Sequence, residues 1–268
     1  MKIVIFSAYP LVDNLYYKKI FLKGIAERRS SLSAIVLVYS PCGIMSYLNK
    51  AISMAPFGFR DLLQKVSLSW KIDHHGSKMV PDSDNRTSLC QLSRELGIEV
   101  KKFAHLNSEV CEGFLHGFSP DIIFNLAGVY IPRNILRIPV LGVVGGHYGL
   151  LPAIRGGDTI RWSILLDVPI YVSHMFLVNT MDMGDIISLR PVFVEKGDTI
   201  QQIRFKCQIE NAHGHLHVLD KLMAGNLKAK PQKEAEGSMY YRMGKRLCEK
   251  TDQILKSNRY SHYCRVKK

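Results

Sequence analysis

One histidine stands within the densest group of turn-forming residues in the chain. This group extends from Gly145 to Asp158, contains His147, and follows a short apolar run at 141–144 that predicts a buried strand. Ligands of open α/β sheets bind beyond the carboxyl ends of the strands, so His147 would lie where a site is expected. The neighbouring glycines would let the backbone approach a ligand closely. Taken alone, a histidine at a strand end is more often structural than catalytic, so both interpretations stay open.

The elements that would position this histidine alternate between strand and helix. Short apolar, partly β-branched runs at 2–6 and 34–39 predict strands, and residues 17–28 between them have apolar side chains at helical spacing. The alternation continues with a helix at 86–96, a strand at 99–103, a helix at 108–116 and strands at 122–125 and 141–145. Such alternation predicts an α/β, Rossmann-like fold, in which a mostly parallel twisted sheet carries helices on both faces.

The second half of the chain predicts two more strands and one long helix. Extended runs at 170–178 and 185–193 fit the same sheet, and Asp198 or Thr199 can cap a helix that ends near Met223, before Gly225. Beyond Lys228 the sequence is polar and basic. We therefore expect a Rossmann-like catalytic domain at 1–192 and a C-terminal helix with a basic tail at 193–268. Residues 66–85 predict a long polar loop.

Residues 120–186 are similar to the signature of a known enzyme family. The matching residues, in order, are Gly142, His147, Leu150, Leu151, Pro152, Arg155, Gly156, Trp162, Met181, Asp182, Gly184, Asp185 and Ile186. The preceding segments 120–123 and 131–136 match as well. The order and spacing of these residues resemble the signature of the formyltransferases that use 10-formyltetrahydrofolate. This family includes glycinamide-ribotide, methionyl-tRNA, sugar-nucleotide and hydroxyornithine formyltransferases.

The resemblance implies a catalytic set of three side chains: an Asn two positions before the histidine, the histidine itself, and the Asp of an Asp-x-Gly motif. Here the last two are His147 and Asp182. An amine that attacks a formyl carbon creates an oxyanion and releases a proton, so His147 would either stabilise the oxyanion as imidazolium or relay the proton. A carboxylate beside the ring favours the charged imidazole and fixes its orientation, which is the role expected of Asp182.

The sequence departs from the family at position 145, where Gly145 replaces the Asn, and Gly149 replaces the usual Ser. Loss of one oxyanion-hole donor typically costs about 100- to 1000-fold in turnover. A backbone N–H of Gly145 or Gly146, an ordered water or Tyr148 could substitute for it. Three interpretations follow: a working transferase with a rebuilt oxyanion site, a slow enzyme, and a ligand-binding relative without catalysis.

Further binding residues follow from the resemblance. The folate cofactor would contact Gly128, Val129, Tyr130, Met181, Gly184 and Asp185. The acceptor would contact Tyr148 and Arg155, although the Arg-Gly pair of the family more often shapes its loop. Trp162 is most simply core packing.

The acceptor is predicted to be a small amine, with an amino-sugar nucleotide as the best candidate. Transfer-RNA formyltransferases carry an additional C-terminal barrel, for which we expect no room here. Gln232 with 237–241 also looks similar to a short tail segment of sugar-nucleotide and hydroxyornithine formyltransferases. A catalytically impaired folate- or nucleotide-binding relative is the first alternative, and a methionyl-tRNA-type enzyme that binds RNA through its basic surface is the second.

Composition is consistent with these partners. The formal charge is +13 over 268 residues, which attracts anions such as phosphates, folate carboxylates or RNA. Apolar runs are too short for a membrane span or signal peptide, so we expect a cytoplasmic protein, and a homo-oligomer is compatible with the sequence. The six cysteines are irregularly spaced and predict no disulfide framework. No metal is expected at His213, His215 and His217, since only the first and last share a helical face.

Overall fold

The structure, a computed structural model, describes residues 1–8, 16–40 and 88–264. The chain divides into two compact units, Met1–Leu141 and Gly142–Lys268, and each is described by itself. The predicted polar loop at 66–85, the beginning of the helix predicted at 86–96 and the basic residues after 264 lie outside the described residues. The predicted domain boundary at residue 192 stays a prediction.

Unit 1 contains a parallel sheet with the strand order β3-β2-β1-β4. Its strands are β1 (Lys2–Ala8), β2 (Ala34–Ser40), β3 (Glu99–Lys102) and β4 (Ile122–Asn125). Consecutive side chains point to opposite faces of a strand, and Ile3, Val4 and Ile5 of β1 are all fully buried. Both faces of the central strand are therefore covered, as the apolar runs of the sequence predict.

Helices occupy the connections between these parallel strands, which cannot be joined by tight turns. Within the described residues of unit 1, the helices are α1 (Tyr16–Glu27), α2 (Leu89–Glu95), α3 (Glu109–Phe118) and α4 (Arg133–Leu136). Ser88 and Ser108 cap α2 and α3, because each hydroxyl accepts a hydrogen bond from the backbone N–H three residues later. The predicted α/β fold class is confirmed, with mostly parallel strands.

Unit 2 is built on three antiparallel strands, β5 (Gly142–His147), β7 (Tyr171–Phe176) and β8 (Ile186–Pro191). The long helix α6 (Ile200–Met223) packs against all three strands. Its beginning and end are as predicted: Thr199 and Gln202 form a capping box, and Gly225 follows the helix with a φ of +65°. A second helix, α5 (Thr159–Leu165), lies between β5 and β7 in the sequence and shares an apolar core with α6.

The segment after residue 228 is more ordered than the predicted helix and basic tail. It contains β9 (Ser238–Tyr240), which pairs in parallel with β6 (Ile154–Gly156), and helix α7 (Lys245–Lys256), which packs against α5. The description of this segment as a tail is therefore corrected up to residue 264. A local pattern could not predict the β6–β9 pair, because its two three-residue strands are far apart in sequence. Among the described residues, no helix is both long and apolar enough to cross a membrane.

Candidate active site

His147 is the last residue of β5 and lies at a buried position. Its exposed fraction is 7%, and the strand pairs it with Ser173 of β7. Nε2 lies 2.8 Å from the carbonyl oxygen of Ile154, so this nitrogen carries a proton and donates it. Nδ1 lies 3.4 Å from Oδ2 of Asp182. Both ring nitrogens therefore face oxygen atoms.

Asp182 reaches His147 from the loop between β7 and β8. Its φ of +53° lies in the left-handed region, which few residues other than glycine adopt without cost. The carboxylate also accepts a hydrogen bond of 2.8 Å from the backbone N–H of Gly156. Asp182 therefore connects the loop that follows β7 to the end of β6 and to His147.

The turn after His147 is held by Ser173, a residue that the sequence did not single out. The Ser173 hydroxyl donates to the Gly149 carbonyl (2.6 Å) and accepts from the Leu151 N–H (3.1 Å). A Cβ on Gly149 would lie 2.6 Å from His147 Nε2 and 2.8 Å from the Ile154 oxygen. Glycine at 149 is thus required for the bond between His147 and Ile154, and the family's Ser would not fit this arrangement.

The two glycines before His147 face different neighbours, because successive residues of a strand point to opposite sides. A Cβ on Gly145 would lie 2.6 Å from Cδ2 of Leu177, whereas one on Gly146 would lie 1.8 Å from Oδ1 of Asn211. Position 145 has the same strand parity as His147, so a side chain there would share its face. In this chain Leu177 takes the space that an Asn at 145 would need.

Arg155 is buried and donates its hydrogen bonds to the chain itself. The residues that accept them belong to a segment that we call the strap, residues 230–243. Nη1 and Nη2 donate to three strap carbonyl groups, those of Lys233, Glu234 and Gly237, and Nε donates to the side chain of Gln232 at 3.3 Å. These contacts support the loop-shaping role of Arg155, and its role in acceptor binding stays a prediction.

The strap also contacts the loop that carries Asp182. Gln232 Nε2 donates to the carbonyl oxygens of Asp182 (3.0 Å) and Gly184 (2.6 Å). Gly184 itself must be a glycine, because a Cβ there would lie 1.6 Å from the Phe176 carbonyl oxygen. Sequence reasoning noted Gln232 only as part of a tail motif and missed these contacts.

The other predicted binding residues have varied surroundings. Met181, beside Asp182, is 62% exposed, and Asp185 is exposed as well. Tyr148 packs partly against the core of α5 and α6, and its carbonyl accepts a hydrogen bond from the Thr159 hydroxyl. Trp162 contacts Tyr240 and donates its ring N–H to the Tyr241 carbonyl (2.8 Å), so it holds the end of β9 rather than only filling a core.

In unit 1, the predicted folate contacts follow β4. Gly128 is exposed with a φ of +63°, and Tyr130 is 61% exposed. Asn125, which the sequence did not single out, shapes this turn: its side chain accepts from the Ala127 N–H and donates to the Val129 carbonyl. The turn thus presents Gly128 and Tyr130 to solvent.

The histidines of α6 differ sharply in burial. His213 and His217 are exposed, whereas His215 is fully buried and packs edge-on against His174 of β7, with ring centroids 4.7 Å apart. Burial lowers the pKa of His215 to about 4, and burial together with His215 lowers the pKa of His174. Within the part of the chain that the structure describes, no three metal-binding side chains are grouped.

Comparisons with known proteins find formyltransferases. The chain is 31% identical to a methionyl-tRNA formyltransferase of Macrococcus caseolyticus over 149 residues, which are 55% of this chain and 48% of that protein. It is 35% identical to the enzyme of Enterococcus faecalis over 122 residues, 45% and 39% of the two chains. The chain is thus similar in sequence to methionyl-tRNA formyltransferases over about half of its length. It nevertheless spans less than half the length of these curated relatives, and no family model matches it.

Solved formyltransferase structures have the same fold. A sugar N-formyltransferase from a Shewanella species has a TM-score of 0.57 and 14% identity, with 96% of this chain and 88% of that chain covered. An N-formyltransferase from Helicobacter canadensis, solved with folinic acid and dTDP-3-aminofucose, has a TM-score of 0.59 and 13% identity, with 100% and 85% covered. At such identities the likeness shows the fold alone. The predicted resemblance to the formyltransferase family is confirmed by the sequence relatives.

Proposed function

We propose that this protein is an N-formyltransferase that moves a formyl group from 10-formyltetrahydrofolate to a primary amine of a small acceptor. The observation that carries the proposal is the contact of 3.4 Å between His147 and Asp182, two residues that are distant in sequence and that match the family signature. The identity to methionyl-tRNA formyltransferases supports the reaction type.

The fixed ring of His147 favours one of its two predicted roles. Because Nε2 donates to the Ile154 carbonyl and Nδ1 faces the Asp182 carboxylate, proton relay would require one of these contacts to break. A ring held on both sides can instead stabilise developing negative charge without moving, as preorganised dipoles do in enzymes. We therefore assign His147 to charge stabilisation and Asp182 to holding the ring.

The described residues are compatible with the folate donor, which supplies the formyl group when bound. Met181 offers an exposed apolar side chain directly beside Asp182, and the turn at Gly128 and Tyr130 offers a second exposed surface in unit 1. Exposed apolar side chains of this kind suit a flat ring system. Met181, Gly184, Asp185, Gly128, Val129 and Tyr130 are proposed as the residues that would hold the donor.

For the acceptor we propose an amino-sugar nucleotide. Several structural neighbours are sugar N-formyltransferases, and one was solved with dTDP-3-aminofucose. The formal charge of +13 also suits a nucleotide diphosphate. Methionyl-tRNA is the acceptor to compare with an amino-sugar nucleotide, because the sequence relatives are methionyl-tRNA formyltransferases.

A second candidate function, ligand binding without catalysis, is favoured by one observation. Position 145 carries no side chain, and the apolar Leu177 fills the space beside it. A bound formyl group would then lack the amide donor that the family uses.

The two candidates are separated by a turnover assay. The protein is incubated with 10-formyltetrahydrofolate and either amino-sugar nucleotides or methionyl-tRNA, and release of tetrahydrofolate is measured. We expect release with an amino-sugar nucleotide and its loss in His147→Ala, while His213→Ala, an exposed histidine on α6, should behave as wild type. Absence of turnover with every acceptor, together with folate binding that survives His147→Ala, would establish the binding function instead.

A further inference from the structure

The loop that presents Asp182 is held from two sides. On one side the backbone N–H of Gly156 donates to the Asp182 carboxylate (2.8 Å). On the other side Gln232 Nε2 donates to the Asp182 carbonyl (3.0 Å) and to the Gly184 carbonyl (2.6 Å). Gln232 therefore contacts the backbone of the aspartate whose side chain faces His147.

The loop needs such support, because Asp182 adopts a φ of +53°. Backbone conformations of this kind cost free energy and persist where surrounding contacts determine them. The Asp182 carboxylate lies 3.4 Å from the imidazole, already longer than a good hydrogen bond, so a small rotation of the loop would separate the two groups.

Gln232 is itself fixed in position. The strap begins where Lys230 exchanges two backbone hydrogen bonds of 2.8 Å with Ile186, at the start of β8. The side-chain oxygen of Gln232 then accepts from Arg155 Nε at 3.3 Å, and Arg155 is one residue before Gly156. Arg155 is thus linked to the Asp182 backbone through Gln232, while the neighbouring Gly156 contacts the Asp182 carboxylate directly.

We propose that Gln232 is a positioning residue that holds Asp182 against His147, an inference that rests on the proposed formyl transfer. Gln232 acts through Asp182, so the strap that contains it contributes to the geometry of the site. The amide N–H₂ is the essential group, because both loop contacts are carbonyl oxygens, which only accept hydrogen bonds.

The test replaces the amide by a carboxylate. Gln232→Glu keeps an oxygen for Arg155 but puts an acceptor where Asp182 and Gly184 need a donor. We expect kcat to fall by about 10- to 100-fold, the effect of a misplaced catalytic group, with KM for both substrates changed by less than about twofold. Gln253→Glu, the same chemical change at an exposed position on α7, should leave both constants unchanged. A wild-type kcat in Gln232→Glu would overturn the proposal, because Asp182 would then keep its position without the amide N–H₂ of Gln232.

A double-mutant cycle with Asp182→Asn tests the route of the effect. If Gln232 acts through Asp182, then Gln232→Glu should change kcat by less than about twofold when Asp182 is already Asn. A full additional loss in that background would show that Gln232 acts elsewhere and would overturn the proposal.

A spectroscopic measurement makes the positioning role testable even if the protein transfers no formyl group. In protein with ¹⁵N-labelled histidine, the ring nitrogen signals of His147, assigned with His147→Asn, should shift in Gln232→Glu and stay unchanged in Gln253→Glu. Unshifted signals would overturn the proposal. Absence of turnover in wild type would reject the proposed function alone, so the two failures are distinguishable.

Discussion

At the scale of single residues, position 145 decides how well the site can work. Leu177 is apolar and would lie 2.6 Å from a Cβ on residue 145, so an Asn introduced there needs Leu177 to be made smaller. We expect the double variant Gly145→Asn, Leu177→Ala to exceed Leu177→Ala in kcat by about tenfold or more, because an added oxyanion donor contributes up to about 1000-fold in other enzymes.

The measurement is tetrahydrofolate release at saturating substrates, with Leu177→Ala and Gly145→Ala as controls for the change in volume. An equal kcat in the double variant and in Leu177→Ala would mean that an amide at 145 is not limiting. In that case the site has been rebuilt around another donor, such as a backbone N–H of Gly145 or Gly146.

The sequence predicts only part of this site, and the reason is physical. His147 was singled out by its place at a strand end and by the family resemblance, and Asp182 by that resemblance alone, because both belong to a signature of specific residue types at fixed spacing. The acceptor of the His147 proton is a backbone carbonyl, that of Ile154, and any residue type provides one. Leu177 has an ordinary apolar side chain, and only the backbone geometry brings it to Gly145.

At the scale of elements, helix α6 is held at its beginning by a capping box. The Thr199 hydroxyl accepts from the Gln202 N–H (3.3 Å), and the Gln202 side chain accepts from the Thr199 N–H (2.8 Å). Thr199→Ala should lower the free energy of unfolding by about 1 kcal/mol, because the Gln202 backbone N–H loses its side-chain acceptor. Urea denaturation measures this loss. Thr199→Ser keeps the hydroxyl and should lose less than half as much, whereas equal losses would point to the methyl group instead.

Local and non-local elements differ in how far the sequence predicts them. Helix α6 could be delimited within one or two residues, because its cap, its periodicity and Gly225 are all local signals. Strand β9 could not, because its strand partner among the described residues is the distant β6, and a three-residue strand has little periodicity of its own. The strap, which contains β9, therefore appeared as part of a basic tail, although its Gln232 contacts the backbone of Asp182.

At the scale of the whole molecule, the buried pair of His174 and His215 makes stability depend on pH. Burial holds the pKa of His215 at about 4 and lowers that of His174, to which the positive charge of Arg190 on β8 also contributes. Both rings are neutral in the folded chain, whereas in the unfolded chain they take up protons below a pH of about 6.5. The unfolded state then binds more protons than the folded state. The contribution of the two histidines to the free energy of unfolding is therefore fully present above this pH and is lost as the pH drops towards 4.

Removal of one of these histidines should reduce that pH dependence. For His215 the difference between pH 7 and pH 4 is on the order of 3 kcal/mol, from the shift of its pKa. Urea denaturation between pH 7.5 and pH 4.5 should therefore show a shallower loss of stability in His215→Gln than in wild type. His213→Gln, at an exposed position of the same helix, should keep the wild-type slope. Parallel slopes for all three proteins would mean that His215 is solvated or already charged in the folded chain, and the loss at acid pH would then come from carboxylates.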